Sequence, residues 1–268
     1  MARPLLLADT SEPLEVQAAV RGALSGSGPA VMAYAGSVPV LAVQMLPDEA
    51  ALVVETSGST RAPKRVWHTA ESLLAAADQV NNELDGPGLW WNPLPCHYIA
   101  GVMVLIRALR SKSEVIAKKP GHTTGDSLMD FDKRANEYSP SAPRFTALVP
   151  QQLSELIGAA LSDQHTADAL RRFSRILVGG QRVPDLLIAE ARELGLVVTK
   201  TYGASETAGG CVWDGKPLSQ SNVEVIDNRI ALSGPMIAGG YLGNPEKTAR
   251  SFVVKGGRHW FITDDVGE

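Results

Sequence analysis

Residues 51–64 read ALVVETSGSTRAPK, an apolar run followed by a loop of small, polar and basic residues. The run at 51–55 predicts a buried strand, and the Ser/Gly/Thr stretch after it predicts a loop. Gly58 lets backbone N–H groups approach an anion closely, and Lys64 adds a cation. Hydroxyl donors are available on Thr56, Ser57, Ser59 and Thr60. The loop suits phosphate, although its composition also fits an ordinary surface loop and it lacks the Gly-Lys-Ser/Thr ending of a Walker A motif.

Apolar and amphipathic runs alternate on both sides of this loop, which is typical of α/β proteins with sheets flanked by helices. Extended segments are predicted at 90–94, 145–149, 176–178 and 196–201, and helices at 69–83, 99–109, 150–157 and 184–194. Thr69 is the expected N-cap of the first of these helices. Further along, short strands separated by Gly/Pro/Asn turns are predicted at 223–226, 229–232, 252–254 and 260–262. We therefore predict an α/β region over 1–210 and a small β-rich region over 211–268.

The composition excludes several classes of protein. The chain has 268 residues, of which 44% are hydrophobic, so it can form a packed core. Its net charge of −4 argues against general nucleic-acid binding and means that an anionic ligand must be held by local positive charge. No apolar run approaches the roughly 18 residues of a membrane span, and the first residues make a poor signal peptide. We expect a cytoplasmic protein without nucleic-acid or membrane partners.

Four segments, and a fifth with one departure, resemble in the same order the motifs of one superfamily, that of acyl-CoA synthetases, peptide-synthetase adenylation domains and luciferases. The stretch TSGSTRAPK at 56–64 resembles its phosphate loop. LPCHYIAG at 94–101, TYGASET at 201–207, and LSGP at 232–235 with GY at 240–241 resemble its next three motifs. TDD at 263–265 resembles its Thr-Gly-Asp motif, with Asp264 in place of glycine. The resemblance implies the fold of the N-terminal domain of an adenylate-forming enzyme.

Within this superfamily the chain resembles the o-succinylbenzoate–CoA ligases of menaquinone biosynthesis. The segment before the phosphate loop is short, and TYGASETAGGCVWDG at 201–215 is similar to the version in those ligases. The resemblance implies that a carboxylate attacks the α-phosphorus of ATP, giving an acyl-adenylate, and that CoA then displaces AMP. Open alternatives are a ligase for another aryl or acyl acid and a non-catalytic nucleotide- or acyl-binding module. An NAD-type domain is disfavoured because no Gly-x-Gly-x-x-Gly follows a strand.

The resemblance also assigns roles to nucleotide-binding residues. The β- and γ-phosphates are expected at Thr56, Ser57, Gly58, Ser59, Thr60 and Lys64. Glu206 is expected to bind Mg²⁺ near the α-phosphate and, with Lys64, to act in catalysis. A hydroxyl at the α-phosphate is expected from Ser205 or Thr207, and Asp265 is expected to bind the ribose. Adenine is expected near the backbone of Gly179, Gly180 and Gln181 and against the ring of Tyr202, although the two glycines also fit an ordinary tight turn. Gly203 is also expected to bind the nucleotide.

Two residues are candidates for binding the carboxylic acid. Arg107 lies in an apolar helix, where an unpaired guanidinium is costly, so it needs either an internal Asp or Glu or the second carboxylate of o-succinylbenzoate. His97 is expected to line the aryl pocket, although a lone histidine is more often structural. Relatives carry a further domain after the Thr-Gly-Asp segment, which supplies a catalytic lysine. We expect that domain to be absent from this chain, which would then bind its ligands but turn them over poorly.

Overall fold

The computed structural model describes residues 3–40, 46–56, 64–84 and 86–267. In these ranges the chain forms three β-sheets and eight α-helices, which confirms the predicted α/β class. The strands β1 to β16 are Leu5–Asp9, Ala30–Tyr34, Ala50–Thr56, Lys64–Thr69, Leu89–Asn92, Glu114–Ala117, Arg144–Leu148, Arg175–Val178, Val198–Ala204, Gly209–Trp213, Lys216–Pro217, Asn222–Ile226, Arg229–Ser233, Gly240–Tyr241, Phe252–Lys255 and Arg258–Val266. The helices α1 to α8 are Pro13–Leu24, Ala70–Asn82, Ile99–Ser111, Thr124–Tyr138, Pro150–Ala160, Gln164–Arg171, Asp185–Glu193 and Pro245–Ser251. None of the helices in the described ranges is long and apolar enough to cross a bilayer.

The first sheet has the strand order β1-β2-β3-β4-β14. Strands β1 to β3 run parallel, whereas β4 and β14 are antiparallel to their neighbours. The predicted phosphate loop joins β3 to β4, and its residues Ser57, Gly58, Ser59 and Thr60 lie outside the described residues. Thr56 and Lys64 are direct cross-strand partners, so the two ends of the loop are adjacent.

The second sheet has the order β11-β10-β9-β8-β7-β5-β6. Strands β5 to β9 are parallel, and β10 and β11 continue the sheet antiparallel. The carboxyl ends of parallel strands lie at one edge of a sheet, which is where open α/β sheets bind ligands. The predicted turn at Gly179 and the 3₁₀ helix Ser205–Thr207 both follow strand ends at this edge.

Helices cover both faces of the second sheet, and β5 shows how the sequence achieves this. Trp90 and Trp91 are both almost fully buried and point to opposite faces, because successive side chains alternate along a strand. Trp90 packs with Val104 of α3 and with Phe145, whose ring centroid is 5.3 Å away. Trp91 packs with Phe131 of α4 on the other face. Helix α3 therefore lies between the first two sheets and brings its residues to the region between them.

The third sheet is antiparallel, with the order β12-β13-β16-β15. It begins at Asn222, whereas β10 and β11 belong to the second sheet and β14 returns to pair with β4 of the first. The predicted division after residue 210 therefore falls within β10. As a division into domains it stays a prediction.

The long apolar and amphipathic segments are found as predicted, with ends shifted by a few residues. Thr69 caps α2 by accepting a hydrogen bond from the Ser72 backbone N–H at 3.0 Å. Seven strands and four helices of the described ranges were not predicted from the sequence, namely β1, β2, β4, β6, β10, β11, β14, α1, α4, α6 and α8. Several of these elements border the site described next.

Candidate active site

A cavity of about 880 Å³ opens where the three sheets meet. The first sheet contributes Thr56 and Lys64, and the second contributes the ends of β7, β8 and β9. Strand β16 of the third sheet contributes Phe261, Thr263, Asp264 and Asp265. Motifs that are far apart in the sequence therefore share one cavity.

Glu206 is held in this wall by a tyrosine that was not predicted as a site residue. Its side chain is buried, and Oε1 accepts a hydrogen bond from the Tyr241 hydroxyl at 2.7 Å. Burial and the adjoining carboxylate raise the pKa of Tyr241, so the phenol stays protonated and donates. The Gly-Tyr motif at 240–241 can be seen in the sequence, but the contact between Tyr241 and Glu206 cannot. Within the described residues the second oxygen of Glu206 makes no hydrogen bond or ion pair, so it is free to bind another partner.

The residues present fit a Mg²⁺ that is held largely by phosphate. No cluster of three or more His, Cys, Asp or Glu side chains suited to a metal occurs in the described part of the chain. Mg²⁺ is commonly bound by one or two carboxylates together with substrate phosphates and water. Glu206, with one oxygen tied to Tyr241, matches that arrangement.

His68 connects β4 to the 3₁₀ helix that carries Glu206. It is fully buried, with Nε2 2.8 Å from the carbonyl oxygen of Ser205 and Nδ1 3.2 Å from the hydroxyl of Ser72. A carbonyl only accepts, so Nε2 carries the proton. Burial lowers the pKa of His68 to about 4, and the ring is neutral at physiological pH. His68 was not among the residues predicted from the sequence.

The two candidate hydroxyls for the α-phosphate differ in position. Ser205 lies in the cavity wall. Thr207 is almost fully buried, and its Oγ1 accepts from the Ala204 N–H at 2.8 Å and lies 2.8 Å from the Gly209 carbonyl oxygen. The Thr207 hydroxyl therefore stabilises the turn, and Ser205 is the one of the two candidates that lines the cavity.

Gly179, Gly180 and Gln181 line the cavity, and the backbone explains both glycines. A Cβ on Gly179 would lie 2.2 Å from Thr201 Oγ1 and 2.7 Å from the Thr201 carbonyl oxygen, and Gly180 has φ +80°. Strand packing and turn geometry thus require glycine here, whatever binds against this backbone. Gly203 also lines the cavity.

The TDD segment places Asp265 in the cavity wall beside the second sheet. The Tyr202 hydroxyl donates to Asp265 Oδ2 at 2.7 Å, and Thr263 Oγ1 accepts from the Asp265 N–H at 3.2 Å. Asp264, where the motif has glycine, is exposed and lies within ion-pair distance of Lys64 and Arg229. Tyr202 is not among the residues that line the cavity, so its contact with Asp265 positions that carboxylate.

Arg107 reaches the cavity from α3 and is buried. Within the described residues its guanidinium makes no ion pair or side-chain hydrogen bond, and Nε is buried without a partner. Burial lowers the pKa of Arg107 to about 10, so the group remains charged at neutral pH. The internal Asp or Glu considered from the sequence is not found in the described part of the chain.

His97 lies beside the cavity rather than in its wall. Its Nδ1 is buried without a hydrogen-bond partner among the described residues, and its ring centroid is 4.1 Å from that of Tyr98. Burial lowers the pKa of His97, with an opposing effect from Glu55.

The structure thus brings most of the predicted site residues together. The cavity wall includes Thr56, Lys64, Arg107, Gly179, Gly180, Gln181, Gly203, Ser205, Glu206 and Asp265. His97, Tyr202 and Thr207 are not in the wall.

Residues 6–242 match the AMP-binding enzyme family. This chain belongs to that family. Among members of the AMP-binding family, it is 35% identical to a probable 2-succinylbenzoate–CoA ligase of Mycobacterium tuberculosis, a match covering 93% of this chain and 63% of that protein. It is 26% identical to the 2-succinylbenzoate–CoA ligase of a Geobacillus species, over 82% of this chain and 46% of the relative. The chain therefore spans about half to two-thirds of the length of these relatives.

The fold of this member of the AMP-binding family is also found among solved structures. A variant of Escherichia coli MenE with bound OSB-AMS superimposes with a TM-score of 0.65 at 22% identity. The superposition covers 90% of this chain and 51% of that one. At this level of identity the likeness establishes the fold.

Proposed function

We propose that the chain binds ATP and o-succinylbenzoate and activates the acid as an acyl-adenylate, which then passes its acyl group to CoA. Membership of the AMP-binding family and the two similar ligases support this proposal. The cavity adds a physical argument, since some residues of the predicted nucleotide motifs line it together with Arg107, whose guanidinium has no ion-pair partner among the described residues.

The choice of substrate rests on the buried guanidinium of Arg107, which has no partner among the described residues. A buried guanidinium without a partner is costly, and an anionic ligand in the cavity removes that cost. o-Succinylbenzoate has two carboxylates, one to react with ATP and one to be bound. A guanidinium binds a carboxylate through two parallel hydrogen bonds, which fixes the orientation of the acid as well as its affinity.

The first step is a substitution at phosphorus. An oxygen of the reacting carboxylate bonds to the α-phosphorus, the bond from that phosphorus to the bridging oxygen breaks, and pyrophosphate leaves with the electron pair. Asp265, fixed by Tyr202 and Thr263, accepts hydrogen bonds from the ribose, and Ser205 donates to an α-phosphate oxygen. Lys64 stabilises the charge on the leaving phosphates. Mg²⁺ bound at Glu206 would neutralise further phosphate charge.

A binding experiment tests the role of Arg107. We expect Arg107→Met to weaken o-succinylbenzoate binding by on the order of 10- to 100-fold, the loss of a charge-assisted pair. Binding of ATP, and of 4-oxo-4-phenylbutanoate, which lacks the ring carboxylate, should be unchanged. Arg110→Met is the matched control, because Arg110 lies on the same helix but is half exposed and pairs with Asp78 at 2.6 Å. Isothermal titration calorimetry gives each affinity.

The results of this experiment distinguish the candidate functions. Equal o-succinylbenzoate affinity in wild type and Arg107→Met would contradict the assignment of this substrate. Tighter binding of a different aryl or acyl acid would favour a ligase for that acid. Nucleotide binding without acyl-adenylate formation, even with the downstream residues of a relative fused on, would favour a binding module.

A further inference from the structure

Lys247, on α8, lies next to Lys64 at the edge of the candidate active site. Its Nζ is 5.3 Å from the centroid of the Tyr241 ring, and Lys64 Nζ is 5.9 Å from the same centroid. Asn244 caps α8 by accepting a hydrogen bond from the Lys247 N–H at 3.0 Å, so the backbone at this point is fixed. Two ammonium groups thus gather around the tyrosine that binds Glu206.

Two carboxylates, Glu206 and Asp264, lie near the two ammonium groups, but neither forms a close ion pair with Lys247 within the described residues. Contact with Lys64 is the largest cause of a lowered pKa at Lys247. Asp264 lies 3.5 Å from Lys64 Nζ but is 85% exposed, and Glu206 is already hydrogen-bonded to Tyr241. Lys247 itself has no carboxylate within ion-pair distance in the described part of the chain. Two like charges held together are unfavourable unless an anion lies between them.

We infer that Lys247 and Lys64 together bind the β- and γ-phosphates of ATP and the pyrophosphate that leaves. This inference rests on the proposed function, which places the phosphates beside Lys64 and Glu206. A lysine ammonium is a compact point charge on a flexible stem, which suits a group that must hold pyrophosphate and then release it. Tyr241 contacts both the lysines and the carboxylate, since its ring lies near the two ammonium groups and its hydroxyl donates a hydrogen bond to Glu206.

The inference distinguishes ATP from AMP, because AMP lacks the two phosphates in question. We expect Lys247→Met to weaken the binding of ATP and of inorganic pyrophosphate by about tenfold, the loss of one hydrogen bond to a charged group. AMP affinity should stay within about twofold, which also shows that the variant is folded. Lys247→Arg should restore most of the ATP affinity.

Lys255→Met is the matched control. Lys255 is an exposed lysine close in sequence, and it already has a partner, Glu224, at 3.2 Å. Calorimetric titration of wild type and the three variants with Mg-ATP, Mg-pyrophosphate and AMP gives the comparison, and the control should match wild type throughout.

Equal losses for ATP and AMP in Lys247→Met, or no loss for either, would overturn the inference. Failure of the proposed function looks different. If wild type binds neither ATP nor AMP, the nucleotide assignment is wrong. Binding of inorganic pyrophosphate alone, weakened by Lys247→Met and not by Lys255→Met, would then still support an anion site at the two lysines.

Discussion

At the scale of single residues, the buried polar side chains show how the site is held together. His68 fixes the Ser205 carbonyl from a strand 137 residues earlier in the chain, and Tyr241 fixes the carboxylate of the next residue, Glu206. Each contact satisfies a buried polar group that would otherwise be destabilising. Arg107 has no such contact: within the described residues its guanidinium makes no ion pair and its buried Nε has no hydrogen-bond partner, which points to a ligand.

His68 should make the stability of the protein depend on pH. Its pKa falls from an ordinary 6.5 to about 4 in the folded protein. Between these values the unfolded chain binds a proton that the folded chain excludes. The contribution of His68 is therefore present above pH 6.5 and is lost as the pH falls towards 4, by about 3 kcal/mol in all. His68→Gln keeps an N–H donor for Ser205 but cannot titrate, so it should lose about 3 kcal/mol less between pH 7 and pH 4.

Urea unfolding at pH 7 and pH 4 measures this difference. His165→Gln is the control, because it makes the same substitution at a histidine that is exposed on α6. The same loss of stability in His68→Gln as in wild type would show that folding does not lower the pKa of His68.

At the scale of elements, the close approach of β8 to β9 depends on Gly179. We expect Gly179→Ala to destabilise the fold by roughly 2 kcal/mol, because the new methyl group meets the backbone carbonyl of Thr201, which cannot rotate away. Gly158→Ala on α5 adds the same methyl group where no atom lies within 4 Å, and it should stabilise by about 0.5–1 kcal/mol. Chemical denaturation of both variants measures these changes in the free energy of unfolding. Equal destabilisation by Gly158→Ala and Gly179→Ala would contradict a specific packing requirement at Gly179.

The elements also show what the sequence can and cannot predict. Strand β3 and helices α2 and α3 have long apolar or amphipathic runs, and they were predicted. Helix α4 was not predicted because only a narrow stripe of it, which includes Leu128, Phe131 and Ala135, faces the core. Strand β14 has two residues, and its pairing depends on the approach of Gly239 to Trp67, a contact between distant segments.

The same distinction holds for the site. Residues in contiguous motifs, such as Glu206 and Asp265, were predicted because the resemblance is local in sequence. His68, Tyr241 and Lys247 act through contacts across the fold, and no spacing in the sequence encodes such contacts. Arg107 was found from the sequence for a physical reason that the structure strengthens, since a charge in an apolar helix demands a partner.

At the scale of the whole molecule, the cavity takes its walls from all three sheets, so a nucleotide should stabilise them together. AMP at 100 times its Kd should add about 2.7 kcal/mol to the free energy of unfolding. If Asp265 binds the ribose, AMP should slow hydrogen exchange in β16 as well as in β9. Asp265→Ala should abolish the protection of β16 and weaken AMP binding. Asp264→Ala should have neither effect, because Asp264 is an exposed carboxylate that would lie beside the β- and γ-phosphates, which AMP lacks. Protection confined to β9 in wild type would mean that AMP contacts the second sheet alone, and the ribose would then have to be assigned to other residues.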